Sequence, residues 1–154
     1  MSGCHTPGDF RKYFKQNMEA LGLPVPSTLF DSYQTAIATA STLVGTLATL
    51  GKGATMAELL GATVGLEKLM IAASIGAAAY TGAVIGSIAV ASGRSLGCGS
   101  QISDMFVFVH QNGLEFKGWR SFYTQNRGVI DENRAFRRSF GLRARNRPAG
   151  FEYA

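Results

Sequence analysis

Charge is scarce in this chain. Only 16% of its residues are Asp, Glu, Lys or Arg, whereas a water-soluble domain carries about a quarter, so part of the sequence is avoiding charge. Histidine is scarcer still. His5 and His110 are the only two, and they share no helix-face spacing. That leaves no histidine pair for a metal and no Ser-His-Asp or Cys-His arrangement for nucleophilic catalysis. Cys4 and Cys98 have no metal-ligand spacing; they could form one disulfide in an oxidising compartment, but nothing in the sequence requires it. No apolar stretch precedes a small-residue cleavage site near the N-terminus, so no general secretory signal peptide is expected. Gly51-Lys52-Gly53 fails as a phosphate loop, because Thr46 stands where a glycine is needed and Gly53 replaces the Ser or Thr. No catalytic residue, cofactor or metal is expected, and an enzyme is not the leading reading.

Glycine, by contrast, is abundant, with 19 in 154 residues, and charge is distributed unevenly. Residues 1–34 and 35–93 are each neutral, whereas residues 94–154 carry ten basic and five acidic groups. The net charge of +5 therefore lies entirely in the last part of the chain. An apolar middle followed by a basic end suggests a membrane or a nucleic acid as partner. Three regions follow. Residues 1–26 make an N-terminal amphipathic helix and Pro linker, 27–97 a Gly/Ala-rich membrane-active helical region, and 98–154 a basic C-terminal region with a β-hairpin.

In the first region Phe10, Tyr13, Phe14, Met18 and Leu21 recur at helical spacing over 9–21, and Gly22 followed by Pro24 gives a stop. This helix either covers a core or lies at a membrane interface. In the second region, Ser32–Gly51 is uncharged for 20 residues, about 30 Å of helix and comparable to the hydrocarbon thickness of a bilayer. Thr35, Thr39, Thr42, Thr46 and Thr49 fall on one stripe of that helix, which is drawn over about 28–51. Their hydroxyls either bond back to carbonyls one turn earlier or to the second helix, or, in an assembly, line a conduit for small ions. Between the two helices, Lys52–Lys68 reads as a turn plus a short amphipathic helix.

Leu69–Gly93 is uncharged for 25 residues, longer than the roughly 18 that a spanning helix needs. Ala72, Gly76, Ala79, Ala83, Gly86 and Gly93 form a stripe of small residues, interrupted by Val90. Gly61 and Gly65, Gly82 and Gly86, and Gly93 and Gly97 make three GxxxG steps, which let helix backbones approach closely. One reading is a tightly packed pair in a bilayer; the other is an Ala/Gly helical hairpin inside a soluble fold.

Further on, Met105–Val109 and Leu114–Lys117 flank Gln111-Asn112-Gly113 and read as a β-hairpin around an Asn-Gly turn. A helix is expected around 131–140. Arg134, Arg137, Arg138, Arg143, Arg145 and Arg147 cluster near the end and suit an anionic surface. The fold class is thus mainly α, a hairpin of Gly/Ala-rich helices with an N-terminal amphipathic helix and a small α+β basic C-terminal region.

Gly45 to Gly97, with Gly61-Ala62-Thr63-Val64-Gly65 and Gly82-Ala83-Val84-Ile85-Gly86, resembles the glycine-zipper pore-forming effectors of bacterial type VI secretion. The likeness covers about a third of the chain and is nearest to small effectors carried in the Hcp tube. It implies an antibacterial toxin that inserts in the target inner membrane from the periplasm, conducts small ions and dissipates the membrane potential. It also implies a producer cell that holds the protein soluble, exports it without a signal peptide and makes a cognate immunity protein. A homo-oligomer is expected on insertion; nucleic acid is not the expected partner. The alternative is a soluble interaction protein with an Ala/Gly helical core and a basic tail that binds nucleic acid or another partner.

Overall fold

The structure, a computed structural model, describes residues 10–23, 32–50, 76–93, 101–131 and 140. Within them the chain is mainly helical: α1 (Phe10–Ala20), α2 (Tyr33–Leu50), α3 (Ala77–Ala91), α4 (Ile102–Gln111) and α5 (Trp119–Gln125), followed by a 3-10 turn, Arg127–Val129. There is no strand among the described residues. The Pro linker, the 52–68 segment, the expected helix at 131–140 and both cysteines lie largely or wholly outside them.

Helix α3 is the axis of the fold. Every one of its 15 residues is buried, because α1 and α2 pack along it and α4, α5 and the 3-10 turn close the rest. Its sequence, AAAYTGAVIGSIAVA, has no polar stripe to set against water. A helix apolar all round is stable only where nothing exposes it to solvent.

The helices around it are one-sided. α1 buries Phe14, Asn17 and Met18 and leaves its cations Arg11, Lys12 and Lys15 exposed, which is the core-covering arrangement of an amphipathic helix. α2 buries Ala36, Ala40, Leu43 and Leu47, spaced one turn apart, and turns its other faces outward.

The expected β-hairpin at 105–117 is not what forms. Ile102–Gln111 is helical, opened by a capping box in which the Asp104 carboxylate accepts from the Gln101 N–H at 2.7 Å. Asn112 is its C-cap and Gly113, at φ 66, is the left-handed residue beyond it. Leu114 N–H donates to Val109 O at 3.0 Å and Gly113 N–H to His110 O at 3.2 Å, the paired closure that ends many helices at glycine. Asn-Gly therefore ends a helix here. The burial pattern agrees: Met105, Phe108 and Val109 are buried and Val107 is exposed, a helical period that strand alternation would not give.

α1 closes in the same way. Gly22 has φ 78, and the N–H groups of Gly22 and Leu23 donate to Glu19 O and Met18 O at 2.9 and 3.0 Å. The stop expected at Gly22 is thus present.

Candidate functional site

The functional expectation centres on the uncharged helix and its small-residue stripe, so the site is built around α3. Gly76 is its N-cap and Gly93, at φ 88, follows its C-cap. Gly82 and Gly86 lie inside it, one turn apart on one face. A Cβ on Gly82 would run into the ring of Phe122, whose Cδ1 would lie at 2.9 Å. A Cβ on Gly86 would run into the Val129 side chain and come within 3.3 Å of Ile130 Cγ2. The two glycines are therefore seats, one for an aromatic ring from α5 and one for a β-branched side chain from the 3-10 turn. Gly61 and Gly65 lie outside the described residues.

Phe122 belongs to an aromatic cluster laid over this face. Its ring meets Tyr123 at 5.0 Å, Phe116 at 5.7 Å and Phe140 at 6.1 Å between centroids, each edge to face, the arrangement ring quadrupoles favour. Tyr123 adds a polar tie. Its buried hydroxyl donates to Gly82 O at 2.7 Å, and burial holds its phenol pKa well above the ordinary value.

A second polar tie comes from α1. Asn17 Nδ2 donates to Ser87 Oγ at 2.8 Å and to Val129 O at 3.0 Å. One buried amide thus joins α1, the central helix and the 3-10 turn. Asn17 stands between Phe14 and Met18 on the apolar face of α1, and a polar residue in that register was the available signal that it reaches a buried partner. Thr81 Oγ1 is buried on α3 with no hydrogen-bond partner among the described residues, which costs about 1–3 kcal/mol.

The threonine stripe is on the outer side of α2. Thr35, Thr42 and Thr49 are exposed and Thr39 and Thr46 half-buried. Thr39, Thr42 and Thr49 donate to Thr35 O, Ala38 O and Gly45 O at 2.9, 3.1 and 3.3 Å, while Thr35 shares a 2.9 Å bond with Ser32. Three of the five hydroxyls thus bond back to a carbonyl one turn earlier on their own helix.

The arginines at 134, 137, 138, 143, 145 and 147 are outside the described residues. His110, on the last turn of α4, lies 2.7 Å from Glu115 through Nδ1 and is solvent-facing. No group of three or more His, Cys, Asp or Glu that could hold a metal is found among the described residues. No described helix is long and apolar enough to cross a membrane; α2 has 18 residues but is diluted by hydroxyls, and α3 is apolar but has 15.

The chain matches no protein-family model, no curated protein and no solved structure.

Proposed function

We propose that this protein is an antibacterial pore-forming toxin, which keeps its most apolar helix inside its own fold until it meets a bilayer. The observation that carries this reading is the complete burial of a helix without a single charge or polar face. Such a helix carries no charge to desolvate on passing from a protein interior into hydrocarbon, and its interior backbone groups are already bonded within it. Its 15 residues reach about 22 Å. The uncharged run of 25 residues to which it belongs reaches about 37 Å and is long enough to span.

On this reading the inserting unit is the hairpin of 28–51 and 69–93. The glycines bring the helices together in lipid, and the threonines, three of them bonded back along α2, offer oxygens to ions in an assembly of several copies. The arginines near the end hold the protein to anionic headgroups. Hcp-borne export, residence in the target periplasm and inner membrane, and a cognate immunity protein go with the same reading and rest on the family likeness.

The test is direct. Purified protein added to vesicles under a potassium gradient, with a potential-sensitive dye, is expected to collapse the potential in a dose-dependent way. A gradient that survives at high protein-to-lipid ratio removes the proposal.

One observation favours a second reading. Phe122 and Val129 already occupy the seats at Gly82 and Gly86, so the small-residue face has a use within the soluble chain. The protein would then be a soluble interaction protein with a basic partner-binding tail. Flotation with vesicles separates the two, because such a protein stays in the lipid-free fraction.

A further inference from the structure

We infer that the segment Trp119–Ile130 is a removable cover on the central helix, and that it lifts when the protein meets an anionic bilayer. This rests on the membrane-active reading and names how that activity is held off.

Two independent features of the segment point this way. The first is where its inner side sits. Phe122 fills the space at Gly82 and Val129 the space at Gly86, the two bare facets that a second helix needs for close approach. While the segment is in place, nothing else can use them. Two polar bonds among the described residues hold it to the helices beneath, Tyr123 hydroxyl to Gly82 O at 2.7 Å and Asn17 Nδ2 to Val129 O at 3.0 Å. Phe122, Val129 and Ile130 add buried apolar contact, and lipid replaces apolar contact where water does not.

The second is its outer side. Within Trp119–Ile130 the sequence holds two cations, Arg120 and Arg127, and no acid. Both are exposed, and Arg120 lies over the Trp119 ring at 4.8 Å. Exposed cations on one short segment are drawn to anionic headgroups. The pull acts on the piece that covers the glycines, not on the helix beneath it.

The chain supplies its own reporter, because Trp119 is its only tryptophan and sits at the start of the cover, buried and edge-on to Phe106 at 5.4 Å. The full-length protein is mixed with vesicles of phosphatidylglycerol and phosphatidylethanolamine under a potassium gradient, and Trp119 emission is followed beside ion release, read with a potential-sensitive dye. Trp119 is expected to become accessible to acrylamide or to brominated lipid before release begins, and to stay protected on phosphatidylcholine vesicles. Tyr123→Phe, which removes one tie, is expected to speed the Trp119 change about tenfold, the factor that corresponds to one ordinary hydrogen bond. Leu43→Ala loosens α2 instead. Compared equally far below its melting point, it is expected to leave the Trp119 rate near that of the wild type.

The arms separate the two claims. Trp119 exposure without release supports the cover and removes the pore. Release with Trp119 still protected overturns the cover and leaves the pore standing. A protected Trp119 with no release, or equal acceleration by Leu43→Ala, also overturns the cover.

Discussion

The same substitution, glycine to alanine, is expected to have opposite signs at two helical positions. At Gly45, on the outer face of α2, a Cβ meets nothing within 4 Å. Alanine there gains helix propensity alone, about 0.5–1 kcal/mol. At Gly86 the propensity gain is the same, but the new methyl enters the space of Val129, with Ile130 Cγ2 at 3.3 Å and Val129 Cβ at 3.4 Å. Overpacking a filled interior costs about 1–3 kcal/mol. Relief by rotation is restricted, because valine is stiff at χ1 and the Val129 carbonyl is held by Asn17. With overpacking at about 2 kcal/mol, the middle of that range, the expected net effect of Gly86→Ala is a loss of about 1–1.5 kcal/mol after the propensity gain is subtracted. At about 2–4 °C per kcal/mol for a chain of this size, the melting temperature falls by about 2–6 °C. Urea and thermal unfolding of both variants, with unchanged denaturant slopes, make the comparison. A Gly86→Ala protein as stable as the wild type or more so would mean that Val129 does not sit against α3 as described.

Asn17→Ala is expected to cost about 1–3 kcal/mol in urea unfolding, since it strands the buried Val129 carbonyl and returns Ser87 Oγ to a carbonyl of its own helix; Ser87→Ala, which removes one bond, costs less, and equal losses would show that the Val129 arm carries nothing. Gly113→Ala is expected to lose about 1–2 kcal/mol through backbone strain alone, because φ is 66 and its Cβ would meet nothing, and no loss would refute the left-handed closure of α4. Tyr123 gives a pH dependence. Its phenol pKa is raised on folding by burial, so the stability it contributes is complete below the ordinary value near 10 and is lost as pH rises from there toward the folded value, at up to about 1.4 kcal/mol per pH unit. Urea midpoints measured upward from about pH 9 should fall less steeply for Tyr123→Phe than for the wild type; parallel curves would contradict the burial.

Helix periodicity made α1 and the two low-charge helices legible. Expected over 9–21 and about 28–51, they form at Phe10–Ala20 and Tyr33–Leu50, and Ala77–Ala91 falls within the 69–93 run. These segments carry long, unambiguous patterns or none that opposes helix. The 105–109 run is different. Met-Phe-Val-Phe-Val is short, apolar and rich in strand-favouring residues, and so short a run fits a period of two and a period of 3.6 about equally well. The Asn-Gly beside it has two uses, since a left-handed residue serves a tight hairpin or a helix end. What decides is tertiary: Met105, Phe108 and Val109 all face the core, a combination that a period of two cannot provide. The glycine seats were half legible. That Gly82 and Gly86 permit close approach follows from sequence; that the visitors are Phe122 and Val129 does not, because nothing local links positions some 40 residues apart.

The central helix also shows why full burial and membrane activity are compatible in one sequence. A helix meant only for a soluble core tolerates buried polar side chains when each has a partner, and α3 has three, in Tyr80, Thr81 and Ser87. Ser87 is satisfied by Asn17 across an interface, so that bond must break if α3 leaves α1. Hydroxyls on a helix have a fallback that most polar groups lack, the carbonyl one turn back, which α2 already uses at three threonines. Ser87 can make the same exchange in lipid, where a buried Asn or a charge in its place could not. The bond from Asn17 is thus one that α3 can give up without leaving the Ser87 hydroxyl orphaned. The cost of release falls on Asn17 and Tyr123, which remain with water or headgroups at hand. That asymmetry makes Ser87→Asn an informative change: it keeps a partner for Asn17 in the fold but removes the fallback in hydrocarbon. It should cost about 1–3 kcal/mol in urea stability by overpacking a filled interior and, compared equally far below its melting point, slow vesicle depolarisation at least tenfold; unchanged depolarisation would show that α3 does not enter the hydrocarbon.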